Sequence, residues 1–335
     1  MTEGLPDAPV ETGHSAPSLP SRWRWLLAAA GWLLLTVLVV FIVRGLPAES
    51  LARLSRARPL PIACGVVVYA LAYVARGARF NLLLPRNERI PFTRAVTLSA
   101  ATTFLLQVVP FRGGEVATWA AYRREMSVTW SRAAAVFALV KIVDSATMLL
   151  VGLAGATLLA TQSGSQTLGA GTAVLVGFGG VGLLLLPHLG ASFVGALARR
   201  LPADSNRRAT ALEIARGLDV ARARPALYVA AIIGASAFLG AHLLALRLML
   251  LGLGIETTFA GLAFASLTSV LTASVIPSPA GTFGPMESGF AAGLAFDHIP
   301  LPLGALAGAA VHVLTTLVSG LVGLPFLIRG ARRRE

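Results

Sequence analysis

The ionisable residues able to do chemistry in this chain are few, and most lie inside or between long apolar runs. They are Arg112, Glu115, Lys141, Asp144, His242, Arg247, Glu287 and His312. An ionised group placed in hydrocarbon costs ~2.5–3.5 kcal/mol on insertion scales, so each needs a partner or a task. Arg112 and Glu115 occupy a break, Pro110-Phe111-Arg112-Gly113-Gly114-Glu115. A guanidinium fork matches phosphate, and a helix starting near Glu115 points free N–H groups at an anion. The pattern predicts either a lipid-phosphate clamp at Arg112 or an Arg112–Glu115 pair that stitches the turn. Glu287 follows a second break and reads as a cap for its own helix or as a protonatable carboxylate. Lys141 and Asp144, three apart on one helix face, read as a neutralising pair or as a cavity lysine oriented by its neighbour. His312 reads as packed core or as a substrate-facing group. Arg247 reads as snorkelling from its helix end. Arg76 and Arg79 mark an interfacial amphipathic stretch or meet an anionic headgroup.

The elements that position these groups follow from composition. Of 335 residues, 56% are hydrophobic and only 13% charged, against roughly a quarter charged in a soluble domain. Eight apolar segments lie near 25–44, 60–76, 92–109, 133–160, 170–197, 225–251, 257–276 and 302–328. Their runs are continuous rather than alternating, which predicts helices, and several approach the ~20 residues that cross a bilayer. The fold class is all-α integral membrane protein. Residues 1–21 read as a disordered cytoplasmic tail, 22–330 as one transmembrane domain, and 331–335 as a basic tail. The lone Cys64 reads as a small packing residue, and Gly177–Gly182 as close helix packing.

Arginine placement sets the topology. The net charge of +13 is mostly arginine, and cytoplasmic segments retain that charge. Arg22 and Arg24, the run Arg76–Arg94, the pair Arg123 and Arg124, the seven arginines of the loop Arg199–Arg224, and the C-terminal arginines all read as inside. Arg44, Arg53, Arg56 and Arg58 fall on the predicted outside, against the rule. The stretch 92–126 must then enter and leave on one face, as must 257–297 on the other. Proline and glycine break helices, so Pro110, Gly113 and Gly114 turn the first hairpin and Pro277, Pro279, Gly281 and Gly284 the second. The prediction is about six full spans plus two re-entrant hairpins, in an inverted repeat of about 25–160 and about 170–328. Pro110 and Pro277 are 167 residues apart, Glu115 and Glu287 172, and Lys141 and His312 171. Such broken-helix repeats are a recurring transporter plan.

No Walker loop, His-Glu-x-x-His or nucleophile elbow occurs. The basic patches lack interleaved aromatics, which argues against nucleic acid. Four stretches resemble the flippase-like family built on the transmembrane region of lysylphosphatidylglycerol synthases. Arg76-Gly-Ala-Arg79-Phe-Asn-Leu-Leu-Leu84 is similar to its arginine-bearing helix end, and Val109–Glu115 resembles its Pro-x-Arg-x-Gly-Glu element. Lys141-Ile-Val-Asp144 falls where the family has Arg-x-x-Asp. Ile276–Glu287 resembles its Pro-x-Pro-Gly-Gly-x-Gly-x-x-Glu loop, with Ala280 and Thr282 as departures. The synthases' aminoacyl-transferase domain has no counterpart, so the resemblance implies lipid binding or translocation rather than aminoacyl-lipid synthesis.

The expectation is a non-enzymatic lipid flippase or transporter of the inner membrane, with both termini cytoplasmic and no metal or cofactor. Its partner is a lipid with an anionic headgroup or a polyprenyl phosphate, held by Arg112, Glu115, Lys141, Asp144, Glu287 and His312. The alternative is a non-transporting subunit that recruits an envelope-biosynthesis enzyme through the Arg199–Arg224 loop.

Overall fold

A computed structural model describes residues 56–332, apart from 85, 111, 112, 204, 277 and 280. The predicted tail 1–21, the apolar run 25–44, Arg44, Arg53, Arg112 and Pro277 lie outside the described residues. Numbered from the first described helix, the elements are α1 (Pro59–Leu82), α2 (Phe92–Val108), α3 (Gly113–Met126), α4 (Trp130–Gln162) and α5 (Gln166–Arg199). They continue as α6 (Asn206–Ala223), α7 (Pro225–Gly252), α8 (Phe259–Val275), α9 (Pro285–Ala295) and α10 (Leu301–Arg332). All regular structure among the described residues is helical. Five helices, α1, α4, α5, α7 and α10, are long and apolar enough to cross a membrane. Local chemistry sets their starts. The Thr129 and Thr258 hydroxyls cap α4 and α8 by accepting from the Arg132 and Gly261 N–H groups, and Pro59, Pro225 and Pro285 begin α1, α7 and α9 where no N–H is needed.

Four of the five shorter helices, α2 with α3 and α8 with α9, form two antiparallel pairs. In the first, α2 and α3 fold back so that Gly114 lies against the Leu105 backbone. Arg94 at the start of α2 pairs with Glu125 at the end of α3 at 3.3 Å, closing the base. In the second pair, Gly289 and Gly293 of α9 press on Ser269 and Ala265 of α8. That base is closed by Asp297, whose carboxylate accepts from the Thr258 N–H at 2.8 Å and from its hydroxyl at 2.9 Å. The two tips meet: the Thr282 N–H donates to the Gln107 carbonyl at 3.0 Å. Gly281, at φ +71°, packs so tightly on that carbonyl that a Cβ would collide with it.

Long helices pack reciprocally around the pairs. The helices α1 and α7 run antiparallel, with Gly65 against Ala245 and Met249, Gly252 against Ile62, and Gly234 against Arg79. Small residues at such crossings let backbones approach. On one side, Gly152 of α4 meets Leu267 of α8. On the other, Gly323 of α10, 171 residues beyond Gly152, meets Ala101 of α2.

The arginine-rich segments gather at one end of the molecule. Arg132 binds Glu88 at 2.9 Å and Glu213 of α6 at 3.5 Å. The opposite end carries Arg58, whose N–H donates to the Gly252 carbonyl at 2.7 Å, together with the Thr258–Asp297 closure.

Three expectations need correction. The segment Arg199–Arg224 is largely helix rather than loop, because Ile214, Leu218 and Ala221 form an apolar stripe packed into the first core cluster. Among the described residues, Gly177, Gly180 and Gly182 contact no neighbour and only Gly179 meets Leu150, so this run makes no close helix crossing there. Cys64 is exposed rather than packed.

Gly281 and Gly284 separate two effects. Both have positive φ, but a Cβ at Gly284 meets nothing among the described residues. Gly284→Ala is expected to cost about 1 kcal/mol from backbone strain alone, and Gly281→Ala roughly 2–3 kcal/mol because the tips must also part. Thermal unfolding in detergent measures the difference.

Candidate functional site

The site is organised by a fully buried arginine. Arg79, with no side-chain exposure, lies three residues from the end of α1 and sends both terminal nitrogens to Asp144, which is 23% exposed. Arg79 Nη1 donates to Asp144 Oδ1 and Arg79 Nη2 to Asp144 Oδ2, the latter at 3.1 Å. Two parallel bonds from a planar fork are the strongest form of this contact. Arg76, one helical turn earlier, reaches the same Asp144 Oδ2 at 3.4 Å. Two arginines therefore converge on one carboxylate from a neighbouring helix. Arg79 is thus enclosed by protein instead of lying on an exposed amphipathic face. Asp144 is engaged by both α1 arginines, so its carboxylate is not reserved for Lys141. The lateral contact wins because the buried Arg79 guanidinium, with its stem packed on Gly234 of α7, has no water to fall back on.

A cavity of about 180 Å³ opens beside this cluster, between α1, α2, α3, α4, α7 and α8. Its charged lining is Arg76, Lys141 and Asp144, and its polar lining includes Thr102, Thr118 and Tyr122. With Arg79 directly behind, two guanidinium groups converge on Asp144 and Lys141 lines the same wall, so the surroundings favour an anion. The rest of the wall, including Phe137, Leu106 and Leu239, is apolar. Arg76 also lies over the Phe238 ring, 5.0 Å from its centroid, which holds the guanidinium at the cavity wall.

A second, smaller cavity of about 70 Å³ lies between the two tips and shares Met148 and Val270 with the first. Here His312 of α10 is held on three sides. Its Nδ1 is 2.6 Å from Glu287 Oε1, its Nε2 is 3.2 Å from the Thr282 hydroxyl, and Phe283 stacks on the ring with centroids 4.0 Å apart. Glu287 Oε2 accepts from the Gly284 N–H at 2.6 Å. Glu287 thus caps its own helix and binds His312 at once.

Gln107, three residues before Pro110, completes the join. Its carbonyl receives Thr282, and its side-chain oxygen accepts from the Ser319 hydroxyl at 3.2 Å. His242 lines the same small cavity and stacks on Phe238.

The predicted site residues therefore separate into groups. Lys141 and Asp144 line the larger cavity, while His312 lines the smaller one and binds Glu287 behind it. Glu115 lies half-buried in the first turn of α3, and Arg112 lies outside the described residues. The breaks Pro110, Gly113, Gly114, Gly281 and Gly284 sit at the tips or at the helix starts beside them. Arg247 is exposed near the end of α7, with its guanidinium 4.5 Å from the Phe259 ring centroid.

Sequence reasoning missed Gln107 and Thr282, and misplaced Arg79. The one-turn spacing of Arg76 and Arg79 was the available signal: it sets both on one helix face, and an isolated aspartate in the middle of a long apolar span was their natural partner.

No curated protein and no solved structure matches the chain at a significant level. The family description "Lysylphosphatidylglycerol synthase TM region" matches residues 22–323, a span that contains both tips, both cavities and every described helix through most of α10. The chain belongs to the lysylphosphatidylglycerol synthase transmembrane-region family, and it is a multi-pass helical membrane protein of lipid or envelope modification.

Proposed function

We propose that this protein binds the anionic headgroup of a membrane lipid in the larger cavity and carries it across the cytoplasmic membrane, without catalysing a reaction. The observation that carries this reading is the surplus of cations, Arg76, Arg79 and Lys141 around the single carboxylate Asp144, in a cavity with an otherwise largely apolar wall. A phosphate compensates that surplus, and the acyl or polyprenyl chains stay in the surrounding hydrocarbon. Arg76 and Lys141 are the headgroup contacts, and Arg79 and Asp144 position Arg76. Arg112, which precedes α3 in sequence, is a third contact in this reading, and the half-buried Glu115 in the first turn of α3 shapes the approach. The starts of α3 and α9 near the tips add oriented N–H groups that favour an anion.

The two helix pairs are read as re-entrant hairpins of an inverted repeat, opening to opposite faces. The reciprocal packing of α4 with α8 and α10 with α2, and the antiparallel α1–α7 seam, support that reading, and rocking of one repeat against the other then exposes the cavity alternately. The arginine-rich end is the cytoplasmic one by the positive-inside rule. A second reading, a subunit that recruits an envelope enzyme, is favoured by α6, which exposes Arg207, Arg216 and Arg222 at that end. Loss of co-purified enzyme on replacing those three arginines, with lipid movement unchanged, would favour it.

The test is transbilayer movement of fluorescent phosphatidylglycerol, or of a polyprenyl phosphate, in proteoliposomes. The expected result is protein-dependent movement. Arg76→Gln and Lys141→Gln should each weaken lipid affinity by roughly tenfold, equivalent to about 1.4 kcal/mol. Movement equal to that of empty vesicles for both lipids would refute transport.

Stability is expected to behave differently from binding. Asp144→Ala strands the buried Arg79 and should cost roughly 3–5 kcal/mol. The double change Arg79→Met with Asp144→Leu should restore much of that stability in thermal unfolding, yet leave lipid binding impaired.

A further inference from the structure

The smaller cavity contains polar groups that the binding of a headgroup does not use. His312 and Glu287 are buried together, and two further polar atoms of the lining, Ser266 Oγ and His242 Nδ1, have no hydrogen-bond partner among the described residues. A volume of about 70 Å³ has room for about two waters, and buried waters need such polar partners.

The Thr282 hydroxyl has one hydrogen and two acceptors in reach. One is His312 Nε2 at 3.2 Å, and the other is the Gln107 carbonyl at 3.4 Å, which already receives the Thr282 N–H. The protonation state of His312 decides between them. With the ring neutral, Nδ1–H donates to Glu287 Oε1, and the Nε2 lone pair takes the Thr282 hydrogen. With the ring protonated, Nε2–H donates to the Thr282 oxygen, and the hydroxyl hydrogen turns to Gln107.

We infer that the Glu287–His312 pair is a proton-binding site whose occupancy is read out by Thr282, tightening the contact between the two hairpin tips when the proton is bound. The proton comes from cavity water and enters at Nε2, the pair passes from one negative charge to none, and no other bond is made or broken. Glu287 stays fixed by the Gly284 N–H, so the change is passed to Thr282. The other groups facing the pair are His242 from α7, with Tyr69 and Tyr73 of α1 beyond it. The helices α2 and α8 present the neutral Gln107, Ser266 and Ser269, and α4 presents Met148, with Lys141, Asp144 and Arg76 on its far side. The use of this proton to drive lipid movement rests on the proposed function; the site itself does not.

The test is hydrogen–deuterium exchange of the full chain in nanodiscs of phosphatidylcholine and phosphatidylglycerol, at about pH 5.5 and about pH 8, on either side of the ordinary imidazole titration. After correction for intrinsic exchange, the Thr282 amide should exchange roughly tenfold more slowly at acid pH. Thr282→Ser should keep that difference and Thr282→Val should abolish it. A titrating ring-nitrogen resonance of labelled histidine, missing in His312→Gln, identifies the group. Equal protection at both pH values in the wild type, or an undiminished pH difference in Thr282→Val, would overturn the inference. Neither readout involves lipid movement, so a protein that fails the transport assay and passes this one loses only the transport reading. One that transports lipid with pH-independent tip protection loses only the proton site.

Discussion

Arg79 has no access to solvent, and this sets the terms for the rest of the structure. A guanidinium does not shed its charge, so it must be met by a carboxylate held at the right distance and angle. Asp144 meets it from α4, and the resulting bond fixes the end of α1 against the middle of a helix that begins more than forty residues later. Gly234 of α7 packs on the Arg79 stem from the other side. Three helices are therefore registered by one side chain. The larger cavity lies beside this bond, with Arg76 and Lys141 in its wall.

Different parts of the structure were legible in the sequence to different degrees, for physical reasons. The long helices were readable to within a few residues at most ends, because apolar length is a local property. The run 60–76 was read short of Leu82 because Arg76 and Arg79 look like the edge of a membrane segment when their partner is unknown. The tips were readable from Pro110, Gly113, Gly114, Gly281 and Gly284, since only such residues tolerate the required backbone. The partners across the fold were not readable. Arg79 and Asp144 are 65 apart in sequence, and Thr282 and Gln107 175 apart, and no local pattern encodes a contact at that distance. Helix α6 was obscured by its arginines, although Ile214, Leu218 and Ala221 recur at helical spacing.

The two cavities divide the polar chemistry. The larger gathers most of its lining from the first half of the chain and carries the charge surplus. The smaller draws mainly on the second half, and its imidazole, His312, is matched by the Glu287 carboxylate behind it. Met148 and Val270 stand between them, apolar and shared. The Phe238–His242 stack spans the same boundary, with Phe238 on the wall of one cavity and His242 on the wall of the other. A displacement of this stack touches both at once.

The helix pairs are fastened at opposite ends of the molecule, one by Arg94 and Glu125, the other by Thr258 and Asp297, and they touch at their tips through Gln107 and Thr282. Each pair is closed at its own base by a contact the other does not share, while the tips are joined through Gln107 and Thr282. Under the proposed transport, a change at one tip is therefore felt at the other through these two residues, which act as a common latch.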